Sequence, residues 1–255
     1  MYAQLYFDYN ATTPCAKEVV DAMLPYFHED FGNPSSSHHP YGWLAKSAVE
    51  DATEAIAKNL GVSPRDLVYT SGSTESINMI LKGICKKYRE KGNHIITTKV
   101  EHKAVLDTCA FLEEDGFEIT YLDVGSDGLI RIEDFKSALR PETILVSIMY
   151  TNNETGIIQP LDEIATSTHE NGSLLFSDTT QALGKMPLDS VFGLLDFACF
   201  SGHKVYGPKG IGLTYIKGNA NYDKLPSLIQ GGGQQKGQRG GTINTPLIIG
   251  MSKAI

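Results

Sequence analysis

The feature that most restricts the fold of this sequence is a unit that recurs along it: a short apolar run, a polar or glycine-bearing turn, then apolar residues at helical spacing. LVYT at 67 to 70 reads as a buried strand, Ser71-Gly72-Ser73-Thr74 as a tight turn, and residues 75 to 91 as an amphipathic helix. HIITT at 94 to 98 precedes a helix starting close to His102, and residues 118 to 124 precede one running over 132 to 139. TILVSIMY at 143 to 150 leads through TNNETG to a helix at 161 to 170. SLLFSD at 173 to 178 and DFACFSGHK at 196 to 204 add two more apolar runs with polar ends. Ahead of the first unit, Leu44, Ala48, Ala52, Ile56 and Leu60 stand four apart in a helix over 43 to 60, with Gly61 placed as a left-handed cap. Strands alternating with helices predict an α/β fold, a three-layer αβα sandwich around a mostly parallel mixed sheet with right-handed crossovers.

A chain of 255 residues, 41% of them hydrophobic and 20% charged, can bury one large core, with room for at most the stub of a second domain. Twenty-two Lys and Arg against thirty Asp and Glu leave a net charge of −8, so no positive field draws in a phosphate backbone, and nucleic acid is not expected as a direct partner. No segment approaches the roughly 18 uninterrupted apolar residues of a membrane span, and the first residues lack a basic stretch followed by a long apolar run. A cytoplasmic protein is expected. Cys15, Cys85, Cys109 and Cys199 are scattered without a C-x-x-C pair, which suits reduced thiols better than a disulfide frame or a metal site. Two glycine-rich stretches lie at 207 to 212 and 230 to 242, the second reading as a mobile loop. PLIIGMSKAI begins a helix near Pro246 and stops at Ile255 with no cap, which reads as a truncated chain.

Ligands of open α/β sheets bind beyond the carboxyl ends of the strands, and the polar residues there form a set: Ser71 to Glu75, Glu101-His102, Asn152 to Glu154, Asp178 to Gln181, and Ser201 to Lys204. The turn at 71 to 74 opens a helix and offers free N–H groups to a phosphate, or Ser73 or Thr74 simply caps that helix. It matches neither G-x-G-x-x-G nor G-x-x-x-x-G-K-[ST]. Asp178 ends an apolar strand and needs a cationic partner, unless it caps a helix over TTQAL. Lys204 follows an apolar strand where a solvated lysine is the plain reading, His102 can be a cap or a core histidine, and Asn152-Asn153 can be a turn.

Taken together, FDYNATTP (7 to 14), GNPSSSH (32 to 38), TSGSTESIN (70 to 78), EHKAVLDTC (101 to 109), NNETG (152 to 156), SDTTQALGK (177 to 185), SGHKVYGPKGIG (201 to 212) and RGGT (239 to 242) occur in the order of one family. The sequence resembles the NifS/IscS-like cysteine desulfurases, class V aminotransferases of the fold-type-I pyridoxal-phosphate superfamily. The resemblance implies the large domain of a transferase dependent on pyridoxal 5′-phosphate over residues 15 to 255. Residues 1 to 14 become an arm belonging to the small-domain and site region, and a C-terminal small domain is missing. Lys204 matches the lysine that attacks the cofactor aldehyde and shuttles the substrate α-proton. Asp178 matches the carboxylate paired with the pyridine nitrogen, Gln181 the partner of the ring hydroxyl, and His102 the imidazole stacked over the ring. Ser73, Thr74, Ser201 and His203 match phosphate-binding positions, Asn153 a residue touching cofactor and substrate, and Thr242 a phosphate contact supplied by the neighbouring subunit of a homodimer.

The implied reaction takes L-cysteine to L-alanine and passes sulfur to an enzyme cysteine as a persulfide, then to an acceptor such as an iron–sulfur scaffold or a tRNA-thiolation enzyme. The family's nucleophilic cysteine and its substrate-carboxylate arginine belong to a region after the point where this sequence ends, and the four cysteines present fall outside that motif. A selenocysteine lyase or another class V aminotransferase, and a non-catalytic scaffold retaining the fold, stand as alternatives.

Overall fold

Seven strands, each four or five residues long, form one mixed sheet: β1 (Leu67–Thr70), β2 (His94–Thr98), β3 (Glu118–Leu122), β4 (Thr143–Ser147), β5 (Leu174–Asp178), β6 (Phe197–Ser201) and β7 (Gly212–Ile216), in the order β1-β7-β6-β5-β4-β2-β3. The computed structural model describes residues 5–188, 190–218 and 225–255; the first four residues of the predicted arm lie outside the described residues. β2 to β6 pair in parallel, whereas β7 runs antiparallel to both β1 and β6. Since β1 and β6 both oppose β7, they point the same way. The carboxyl ends of β1, β2, β4, β5 and β6 therefore gather along one edge of the sheet.

The helices are α1 (Lys17–Met23), α2 (Pro25–His28), α3 (Pro40–Leu60), α4 (Ser73–Tyr88), α5 (Lys103–Glu114), α6 (Ile132–Ala138), α7 (Leu161–Glu170), α8 (Val191–Leu194) and α9 (Thr245–Ala254). β1, β2, β4, β6 and β7 are buried throughout, as a sheet covered on both faces requires. Successive residues divide between two cores: Leu67, Tyr69, Leu175, Ala198 and Phe200 join α3, α6, α7 and α9 on one face. Val68, Phe176, Phe197 and Cys199 join α4 and α5 on the other. The predicted three-layer αβα sandwich is the observed fold. Among the described residues no helix is long and apolar enough to cross a membrane.

Local chemistry sets the element ends. Gly61 closes α3 at φ 67°, in the left-handed region, as its place after Leu60 predicts. The helix after β1 starts two residues earlier than its periodicity suggests, with Gly72 as the cap residue and no side-chain capping bond. Ser73 and Thr74 are thus the first helical residues and do not serve as the cap. The predicted helix over TTQAL is instead a series of turns: the Asp178 carboxylate accepts from the Thr180 N–H at 2.9 Å, and Gly184 redirects the chain at φ 69°. β7 went unrecognised because LTYI follows directly on a glycine-rich run. Its first residue explains that run, since a Cβ on Gly212 would lie 2.5 Å from the Gly72 Cα, and only glycine permits the strand to pass so close to the turn after β1.

The glycine-rich segment at 230 to 242, expected to be mobile, is fastened at two points. The Gln235 amide pairs with both backbone groups of Tyr69 at 2.6 and 2.8 Å. Arg239 forms a two-pronged ion pair with Glu75 at 2.8 and 3.1 Å, and Glu75 also accepts from the Ser71 N–H at 2.8 Å. Burial pushes the Glu75 carboxyl up, but the bonds from Arg239 and Ser71 outweigh it and hold the group below the usual carboxylate range. A depressed folded value means the pair stabilises the protein above the ordinary carboxylate range, and that contribution is lost as pH falls through the lowered value. Replacing Arg239 with Ala is expected to cost about 1–2 kcal/mol in urea unfolding at neutral pH, a partly sheltered charge-assisted pair being worth that much. The difference from the parent should shrink on acidification through the Glu75 transition; equal stability at neutral pH would contradict the pinning.

Candidate active site

Five turns at the gathered strand ends enclose a cavity of about 470 Å³, bordered by Ser73, His102, Asn153, Asp178, Gln181 and Lys204 among others. β5 delivers Asp178 as its last residue and leaves that residue 7% exposed. No ion pair to Asp178 forms among the described residues. β6 ends at Ser201, and a single 3-10 turn over Gly202–Lys204 swings Lys204 to the same cavity. The two residues that sequence reasoning sets at opposite ends of one ligand thus face a common space.

Lys204 is held by a turn in the arm near the start of the chain, where the Ala11 and Thr12 N–H groups donate to the Asp8 carbonyl at 3.1 and 3.5 Å. Its Nζ donates to the carbonyls of Asn10 and Ala11 at 2.7 and 2.8 Å. Thr13 locks the arm in place: its N–H and its hydroxyl both donate to the His203 carbonyl at 2.9 Å, and its hydroxyl oxygen accepts from the Tyr206 N–H at 2.7 Å. Tyr206 sits at φ 62°, a left-handed conformation that costs a bulky residue energy and fixes the turn two residues beyond Lys204. Burial pushes the Lys204 ammonium below its ordinary range, the nearby Lys185 charge adds to the effect, and Asp178, Asp8 and Glu154 oppose it. A larger neutral fraction makes a better nucleophile and base.

His102 caps α5 through Nδ1, which accepts from the Ala104 N–H at 3.1 Å, and it borders the cavity as well. His102 thus caps a helix and lines the cavity at once. Beneath it, Glu101 is buried, and its Oε1 accepts from Thr98 and from the Met149 N–H at 2.9 Å each. Burial pushes its carboxyl up to about 8, against those two bonds and with the Asp178 charge, and Oε2 has no hydrogen-bond partner among the described residues. A neutral acid at this point ties the turn carrying His102 to the turn carrying Met149, which lines the cavity. Asn152 reinforces that tie by donating to the Val100 carbonyl at 3.0 Å.

The remaining expected residues fall into three positions. Ser201 is buried at the end of β6, its Oγ 3.8 Å from where a Gly72 Cβ would stand, so it adjoins the first turn of α4 beside Ser73 and Thr74. The His203 Nδ1 lies 3.0 Å from the Thr12 hydroxyl, turned toward the arm. Thr242 lies apart from the cavity, in a second concavity of about 330 Å³ with Tyr26, Phe31 and Asn33. Sequence reasoning missed Asp8, Asn10, Ala11, Met149 and Thr151, which border the cavity, and Lys185, which adjoins Lys204 in a neighbouring cleft. Asn10 and Ala11 contribute through backbone carbonyls, which no side-chain pattern reports.

None of the four cysteines borders this cavity. Burial pushes the Cys85 and Cys109 thiols up to about 12. Burial and the adjacent Asp178 charge hold Cys199 well above the ordinary thiol range, and burial also raises Cys15, with Lys209 opposing. All four are thiols rather than thiolates at neutral pH. In the native protein Cys85, Cys109 and Cys199 are expected to resist alkylation by iodoacetamide at neutral pH, while half-exposed Cys15 reacts slowly. Rapid labelling of Cys199, read by peptide mass spectrometry, would contradict this.

The Aminotransferase class-V family model matches residues 5–255. A cysteine desulfurase IscS of Rickettsia rickettsii (strain Iowa) is 48% identical over 250 residues, covering 98% of this chain and 61% of that protein. A cysteine desulfurase IscS of Anaeromyxobacter sp. (strain Fw109-5) is 47% identical over 254 residues, covering 100% of this chain and 63% of that protein. This chain thus spans a little over three-fifths of the length of these curated relatives. Among solved structures, a NifS-like protein superposes with a TM-score of 0.93 at 41% identity, over 98% of this chain and 68% of that one. A structure described as SspA in complex with cysteine superposes with a TM-score of 0.94 at 43% identity, over 98% of this chain and 72% of that one.

Proposed function

This chain belongs to the class V aminotransferase family, and on that premise we propose that its strand-end cavity holds pyridoxal 5′-phosphate and serves a cysteine desulfurase. The observation that carries the reading is the placement of the Lys204 amine and the buried Asp178 carboxylate on one cavity. A buried carboxylate without an ion pair suits a cationic ring nitrogen, because burial makes an uncompensated charge costly. The first turn of α4 supports the other end of the fit: Gly72 caps it without a side chain, so the N–H groups of Ser73 and Thr74 are free for a phosphate. Ser201 adjoins that turn.

When bound, pyridoxal phosphate supplies a conjugated ring that accepts the electron pair left by a departing α-proton. Asp178 would keep the ring nitrogen protonated. Lys204 would take the proton from the substrate α-carbon and return one, a task suited to an amine whose proton affinity is lowered. Gln181 and the flat face of His102 would hold the ring in orientation, with Ser73, Thr74, Ser201 and His203 at the phosphate and Asn153 toward cofactor and substrate. L-cysteine as substrate draws support from the relatives named cysteine desulfurase and from the neighbour solved with cysteine. In this reading the sulfur-accepting thiolate comes from outside these 255 residues, because the cysteines present are buried or distant and protonated. A sulfur-acceptor protein, an iron–sulfur scaffold or tRNA-thiolation enzyme, would then receive the persulfide sulfur. A homodimer is part of the proposal: Thr242 stands in its own concavity next to exposed Phe31, where a partner subunit's site would use it.

The test is cofactor uptake with α-proton exchange. The chain incubated with pyridoxal phosphate is expected to gain a visible absorbance band that survives desalting, and Lys204→Ala to lack it. Asp178→Asn should keep colour yet exchange the α-proton of L-alanine for deuterium at least about 10²-fold more slowly, the loss typical of a removed charge-stabilising group. Gln181→Ala should lose less. An unchanged band in Lys204→Ala, or an unchanged exchange rate in Asp178→Asn, would overturn the assignment.

A further inference from the structure

Lys185 ends the turn that begins at Asp178, and its Nζ donates to the Gln181 Oε1 at 2.5 Å. An ammonium donates and never accepts, whereas the two ends of a glutamine amide are nearly equal in size, so such a contact decides which end points where. With Oε1 turned to Lys185, the Gln181 Nε2 faces the arm and donates to the Asn10 carbonyl at 3.0 Å. Its second N–H is left for the cavity that Gln181 borders. The Asn10 carbonyl also accepts from Lys204 at 2.7 Å, so one hydrogen-bonded chain links Lys185, Gln181, Asn10 and Lys204. Lys185 and Lys204 further share a cleft with Tyr9, Asn10 and Tyr206.

We infer that Lys185 is a positioning residue: its ammonium fixes the Gln181 amide so that an N–H donor faces the cavity, and it sets a second positive charge beside the Lys204 amine. The inference rests on the pyridoxal phosphate reading for its ligand but not for its geometry. A ring hydroxyl that has lost its proton needs a donor opposite it, and a reversed amide would present an acceptor instead. The charge works in the same direction. Lys204 is faced by Lys185, Asp178, Asp8 and Glu154, with His203 adjoining it in the chain, and burial followed by the Lys185 charge depresses its proton affinity against the three carboxylates. Removing Lys185 leaves the carboxylates, so the Lys204 amine should hold its proton to higher pH.

Two readouts on the full chain test this with Lys185→Met and Lys185→Arg. Without cofactor, competitive labelling by trace acetic anhydride, quantified on the Lys204 peptide, should be about threefold slower in Lys185→Met at neutral pH, the scale of a half-exposed charge effect. Its pH profile should move upward, and Lys185→Arg should match the parent. With pyridoxal phosphate loaded, the visible spectrum should titrate at a different pH in Lys185→Met, return toward the parent in Lys185→Arg, and respond less to Lys185→Met in a Gln181→Ala background, where only the charge effect of Lys185 is left. Parent-like behaviour of Lys185→Met in both readouts, or additive effects with Gln181→Ala, would overturn the inference. Should the parent itself take up no cofactor, the proposed function fails, while the acylation comparison still judges Lys185 alone.

Discussion

The structure turns on a largely buried carboxylate at the edge of a cavity. Asp178 ends a central strand, is almost wholly buried, and is steadied by the Thr180 N–H, yet no ion pair reaches it among the described residues. Burial of an unmatched charge is expensive, and a protein retains such a group where something else supplies the positive charge. The sheet order makes this possible. With β5 between β4 and β6, Asp178 is flanked by the turns that carry Asn153 and Lys204.

The second constraint is the crossing of the arm over those strand ends. Asn10, Ala11, Thr12 and Thr13 contact residues about 190 positions later in the chain, at His203, Lys204 and Tyr206. These bonds hold the Lys204 side chain by two backbone carbonyls that can only accept, which favours an amine directed at the cavity. Glu101 does the corresponding work on the opposite wall, joining the turns after β2 and β4 from below.

Much of this was legible in the sequence because chemistry and periodicity meet at the strand ends. SLLFSD and DFACFSGHK each pass from apolar to polar at the point where a strand leaves the core, so Asp178, Ser201 and Lys204 announced their location. Gly61, set just beyond Leu60, likewise announced the end of α3. What was hidden depended on distance or on backbone atoms. Asn10 and Ala11 act through carbonyls that every residue possesses, and β7 was masked by the glycines that let it pass Gly72. The glycine-rich loop looked mobile because its composition is flexible; Gln235 and Arg239 hold it through partners some 160 residues away. The residues of the 71 to 74 turn left two readings open, a helix cap or a phosphate cradle, because hydroxyls commonly cap helices; here Gly72 takes the cap position without a side-chain bond.

The central claim is that one ring spans the space between Lys204 and Asp178. A crystal structure of the chain soaked in pyridoxal phosphate tests it most directly. The account predicts the ring nitrogen within hydrogen-bond distance of the Asp178 carboxylate, continuous density from the ring to the Lys204 Nζ, and the phosphate against the first turn of α4. A ring bound with its nitrogen away from Asp178, or with its phosphate distant from Ser73 and Thr74, would contradict it.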